Sequence, residues 1–129
     1  MGRWLERYRA GDRVQVWTEM TRLGADLRET QGWVDAVEVG RETMRRARVN
    51  VERLVDFLQV NGYQFAAPDR IFTPPESDVS VQLDYLEESV GVLPLALRCW
   101  CEEVGQVNLA GRHPDWPYDS LDPLDDLFQ

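Results

Sequence analysis

"WVDAVEVGRETMRRARVNVERLVDFLQVNG", residues 33–62, decides the fold. Trp33, Val37, Gly40, Met44, Ala47, Val51, Leu54 and Leu58 follow one another in unbroken steps of four and three. That spacing keeps a side chain on one face of an α-helix, so it predicts a helix over 33–61. At 1.5 Å per residue such a helix is about 43 Å long. Asn61-Gly62 ends it, because glycine takes the left-handed conformation after a last turn at little cost. A stripe this long has to be buried against other helices. Each large apolar residue on it contributes about 1.5–3 kcal/mol when fully buried. A charge at Val51 or Leu54 is therefore expected to be severely damaging.

The other faces of this helix are charged. Arg41, Arg45, Arg46, Arg48 and Arg53 stand mostly off the stripe, interleaved with Glu38, Glu42, Glu52 and Asp56. Pairs such as Glu38–Arg41, Glu42–Arg45 and Glu42–Arg46 sit at helical neighbour spacing. They account for most of the basic character and leave nucleic acid binding as the lesser reading.

Upstream, "DRVQVWTEMTRLGADLR", residues 12–28, has Trp17, Met20, Leu23 and Leu27 at helical steps, with Asp12 placed to cap it. A shorter helix over 2–9 turns Trp4, Leu5 and Tyr8 inward. Downstream, Pro68, Pro74 and Pro75 mark residues 66–79 as a linker, with Tyr63 and Phe65 just before it alternating like a short strand. A helix over 80–90 follows, with Leu83, Leu86 and Val90 on its apolar face. Pro94 opens the next helix, where its missing N–H costs nothing. Leu97, Trp100, Cys101 and Val104 face inward there. Gly105 stops it, and residues 106–111 read as one strand with Val107 and Leu109 inward. The whole is a mainly α fold with a minor β element: a helical bundle around 33–61, then a helix–turn–helix–strand unit. The 129 residues are expected to form a single domain, with 1–65 as its helical part.

The charge is uneven. The chain carries −9 overall, but residues 1–65 net +1 and residues 66–129 net −10. An acidic half repels phosphate backbones and steers toward a basic partner. Signal-peptide and membrane-spanning patterns are missing, so cytoplasm is the expected location.

Chemistry-bearing motifs are scarce. The sequence holds no glycine-rich phosphate loop, no H-E-x-x-H and no G-x-S-x-G. His113 is the only imidazole and reads as a structural loop histidine. Cys99 and Cys101 are too close in sequence for an unstrained disulfide and point to different sides of a helix. They read as packing thiols, and a zinc site lacks ligands. The carboxylates Asp115, Asp119, Asp122, Asp125 and Asp126 lack the glycine-turned spacing of a calcium loop. No catalytic residue, metal or cofactor is expected, and the protein reads as a non-enzyme. Trp116 and Tyr118 sit among prolines and acids, as a plug over a small core or as rigid interaction anchors.

"LEESVGVLPLALRCWCEEVGQVNLAGRHPDWP", residues 86–117, resembles the opening of the SUKH superfamily, the Smi/Knr-type immunity and regulatory domains. Leu86, Glu87, Leu93, Pro94, Leu97, Trp100 and Gly105 match its pattern in order, over about a quarter of the chain. Gln106 stands where the family usually has a second glycine. The resemblance implies an α+β ancestor whose sheet has several more strands after "VNLAG". The 18 residues from Arg112 onward are too few for them. Residues 80–129 are thus expected to be a SUKH-like N-terminal fragment with an acidic tail, the chain a shortened relative with an N-terminal helical extension. Its sheet is then lost or completed by another chain. The implied function is to bind and occlude a basic protein partner. Trp116 and Tyr118 would be the anchors, and Asp115, Asp119, Glu102 and Glu103 the acidic contacts. The alternative is a structural subunit of a larger assembly or homo-oligomer.

Overall fold

Helix α3 runs Trp33–Val60, and the other described elements are arranged around it in a computed structural model that describes residues 3–115. Gly62 takes φ +86°, and the Tyr63 amide donates back to the Leu58 carbonyl, closing the last turn. Before α3 come α1 (Arg3–Arg9), α2 (Arg13–Leu23) and a 3₁₀ segment (Gly24–Glu29). After it come β1 (Gln64–Phe65), a 3₁₀ turn (Pro68–Arg70), β2 (Phe72–Thr73), α4 (Val79–Val90), α5 (Leu95–Glu103), β3 (Gln106–Val107) and β4 (Gly111–Arg112). The protein is mainly α with a minor β element, as the periodicity predicts. Among the described residues no helix is long and apolar enough to cross a membrane.

The core lies where α1 and α2 meet the first half of α3. Tyr8, Val16, Met20, Leu27, Ala36 and Val39 form it, with Trp4, Leu5, Trp17, Trp33 and Leu95 packed around. The buried arc of α3 is turned from the predicted stripe: Asp35, Ala36, Val39, Gly40 and Val55 are the residues fully inside. Leu54 is 44% exposed, so it is not a core position. The reason is length. α1 and α2 span only 7 and 11 residues, and their polar ties to α3 reach no further along it than Arg46. Beyond that point the same face of α3 stands open.

Two packing details fix α3 against its neighbours. The Asp35 carboxylate accepts hydrogen bonds from the Trp4 and Leu5 amides at 2.8 and 3.1 Å. A side chain from α3 thus caps the first turn of α1, whose free N–H groups need an acceptor. On another side, a Cβ at Gly40 would sit 2.6 Å from Cys99 Sγ, so α5 approaches this close only because residue 40 is glycine. Cys99 is buried, and burial pushes its thiol up to about 11, which makes it a packing group.

Three sequence expectations are corrected. Residues 12–28 are not one helix: Gly24 takes φ +56°, ends α2 and hands the chain to the 3₁₀ segment. Val16 rather than Leu23 then points into the core. On α4 only Leu83 of the expected trio is buried, and on α5 Cys99 replaces Leu97 inside. Finally, the expected linker is half of a β ribbon. Gln64 and Phe65 pair antiparallel with Arg112 and Gly111, and Phe72 and Thr73 with Val107 and Gln106. Between these ladders residues 66–71 face only 108–110, and the Pro68–Arg70 turn takes up the surplus. The expected single strand over 106–111 is therefore two, β3 and β4, whose partners lie upstream in the same chain. Tyr63 locks the ribbon by donating its hydroxyl to the Leu109 carbonyl at 2.6 Å.

Candidate protein interface

α4 is held to the body along one narrow edge. Leu83 is its buried apolar residue, and Glu87 is its buried-side ion. Glu87 meets Arg28 at 2.9 Å and Arg98 at 2.6 Å, so one carboxylate joins the 3₁₀ segment, α4 and α5. The hydrogen bonds from Arg28 and Arg98 hold the Glu87 carboxyl down at about 2. Arg98 also reaches Asp84 at 2.8 Å and Glu102 at 3.3 Å.

The charge pairing continues onto α3. Arg41 bridges Glu102 at 3.4 Å and Glu38 at 3.6 Å. Arg45 reaches Glu103 at 3.4 Å, and Arg48 pairs with Glu52 at 3.2 Å. Arg46 lies over the Tyr8 ring, 5.3 Å from its centroid. Of the intrahelical pairs expected on α3, only Glu38–Arg41 is made. Glu42 instead pairs with Arg9 of α1 at 3.1 Å. Arg7, Arg9, Arg28, Arg41 and Arg45 of the first half are thus spent on carboxylates outside their own elements.

This decides where the acidic site candidates stand. The side chains of Glu102 and Glu103 are only 13% and 23% exposed and are engaged by Arg98, Arg41 and Arg45. They hold α5 to α3. Asp115 is exposed beside His113. The His113 ring is anchored: Nε2 donates to the Asn61 carbonyl at 2.7 Å, and Nδ1 accepts the Asp115 amide at 3.1 Å. Trp116, Tyr118 and Asp119 lie outside the described residues.

A surface that the sequence reading passed over lies on the outer side of α4. Val81 is 68% and Tyr85 72% exposed, one helical turn apart and opposite Leu83. Asp84 and Glu88 run beside them at the same spacing, and Asp78 and Glu76 close the N-terminal end. Glu76, Asp78 and Glu88 form no ion pair among the described residues. The signal was available: once Leu83, Leu86 and Val90 are assigned to one face, Val81 and Tyr85 remain as an apolar surplus on the other. Among the described residues no group of three His, Cys, Asp or Glu is placed to hold a metal. Comparison with protein-family models, with curated proteins and with solved structures finds no match for this chain.

Proposed function

We propose that this chain is a non-enzymatic cytoplasmic protein-binding module that covers a basic surface on its partner, in the manner the SUKH resemblance implies. The observation that carries this reading is the outer face of α4. An aliphatic and an aromatic side chain stand open to solvent within a rim of carboxylates, of which Glu76, Asp78 and Glu88 make no ion pair among the described residues. An aromatic anchor buried at the centre of a contact supplies affinity, and the charged rim steers a partner of opposite sign. The arginine-rich face of α3 favours a protein rather than a nucleic acid as partner, because Arg41, Arg45 and Arg48 are already paired with carboxylates.

A photo-reactive phenylalanine analogue placed at position 85 tests this, with the same analogue at the exposed Val14 of α2 as control. In extracts of the native host, a basic protein is expected to crosslink from position 85 and not from position 14. The yield should fall as salt rises, since exposed charges are screened over about 10 Å at 0.1 M. Equal labelling from both positions, or a yield indifferent to salt, defeats the reading.

A further inference from the structure

Two clefts meet along α2. The first is lined by Tyr8, Arg13, Thr18, Thr21 and Arg22 among others. The second, of about 380 Å³, is walled by Met20, Leu27, Trp33, Leu93, Leu95 and Ala96. Trp17 and Thr21 line both, so the clefts adjoin across these two side chains. The size of the second lies within the range of small-molecule pockets, about 300–1,000 Å³, and its walls are mostly apolar. Its one ion, Arg28, is tied across the two walls, to Glu87 at 2.9 Å and to the Leu93 carbonyl at 3.4 Å.

The first cleft differs in charge. Arg13, Arg22 and Arg46 take part in no ion pair among the described residues, unlike Arg7, Arg9, Arg41, Arg45 and Arg48. Arg13 and Arg46 stand over the same Tyr8 ring, 5.7 and 5.3 Å from its centroid. Arg22 lies nine residues further along α2, about 13.5 Å by helical rise. No carboxylate lines either cleft among the described residues, and Glu19, the acid of α2, is hydrogen-bonded to Arg7. Thr18 and Thr43 turn their hydroxyls to carbonyls one turn back, both at 2.8 Å, which leaves the Thr21 hydroxyl as a donor. Like charges around one cleft repel one another, and an anion set between them is attracted by each. We propose that the joined clefts bind one soluble anionic amphiphile, its alkyl chain in the second cleft and its charged head in the first, beside Thr21 and Arg22. Arg13 and Arg46 add their field from the far end.

Calorimetric titration of the full chain with decyl phosphate, kept below its micelle concentration, tests the site. One molecule per chain is expected to bind. Decanol lacks the charge and inorganic phosphate lacks the chain, and each should bind at least about tenfold more weakly, the chain and the head each supplying part of the affinity. Octyl phosphate is two methylenes shorter and should bind roughly 15-fold more weakly, at about fourfold per buried methylene. Arg22→Gln should weaken decyl phosphate about threefold, the size of an exposed charge pair, and leave decanol unchanged. Arg70→Gln removes an exposed arginine from the Pro68–Arg70 turn and should change neither. Ala96→Leu fills the second cleft and should weaken decyl phosphate while circular dichroism verifies the fold. Absence of binding, equal binding of decanol, or several equivalent sites per chain overturns the proposal. So does an affinity indifferent to Arg22→Gln or to a folded Ala96→Leu, and so do equal losses in Arg22→Gln and Arg70→Gln.

Discussion

Replacing Asp35 with alanine removes the link by which α3 caps α1. The carboxylate accepts two backbone N–H groups, from Trp4 and Leu5, and is almost fully inside the protein. Loss of a helix cap costs about 0.5–2 kcal/mol. Hydrogen bonds to a charged group are worth about 1.5–3 kcal/mol each when a donor is left unpaired in the interior. Trp4 and Leu5 are half-buried, so water compensates one of the two donors in part. A loss of about 2 kcal/mol follows, a large share of the roughly 5–15 kcal/mol that holds a domain together. With a urea slope of about 2 kcal/mol per molar, the unfolding midpoint should drop by about 1 M. Asp35→Asn keeps one acceptor oxygen and should lose about half as much. The local readout is amide hydrogen exchange. The Trp4 and Leu5 amides should lose protection in the alanine variant before the middle of α3 does, because the damage begins at the first turn of α1. An alanine variant within about 0.5 kcal/mol of wild type, or unchanged protection at Trp4 and Leu5, refutes the view that this carboxylate seats α1.

Two further outcomes follow from the geometry. Glu87 has its folded carboxyl value depressed from 4.5 to about 2, so its pairing stabilises the fold above about pH 4.5 and is lost as pH falls through about 2. The urea midpoint of wild type should therefore decline across that window, and Glu87→Gln should flatten the decline; parallel curves for the two proteins would count against the Arg28–Glu87–Arg98 link. On α3, Val55→Asp should unfold the protein while its neighbour Leu54→Asp costs less than about 1 kcal/mol, because Val55 is buried and Leu54 lies 44% open. Thermal melts of the two variants check this, and equal losses would show that the second half of α3 is covered on both faces.

The element types were legible because periodicity is a local signal. Trp33 to Val60 declares a helix, Gly62 and Gly105 declare stops, and Pro94 declares a start. What local pattern does not carry is which arc of a helix finds a neighbour. The stripe through Met44, Val51 and Leu54 is periodic, yet Leu54 lies beyond the reach of α1 and α2, whose polar ties to α3 stop at Arg46, and it stands 44% open while the adjacent Val55 is buried. The β ribbon was hidden for a related reason. Its strands are two residues long and their partners lie more than thirty residues away, so alternation at 106–111 could not point to 64–73.

The candidate site shows the same division between composition and placement. Counting charges separates a neutral half from an acidic half, and that imbalance is real in the sequence. Folding then sets Arg41, Arg45 and Arg28 of the first half against Glu102, Glu103 and Glu87 of the second. The acids nearest the arginine-bearing face are thereby consumed as internal ties, and Glu102 and Glu103 lose most of their exposure. On the outer side of α4 no arginine reaches Glu76, Asp78 or Glu88, which stay outside any ion pair among the described residues. Net charge alone would rank all of these carboxylates together. Only their distance from the arginines of α3 and the 3₁₀ segment separates those that hold the fold from those that stay unpaired. The exposed Val81 and Tyr85 sit among the latter.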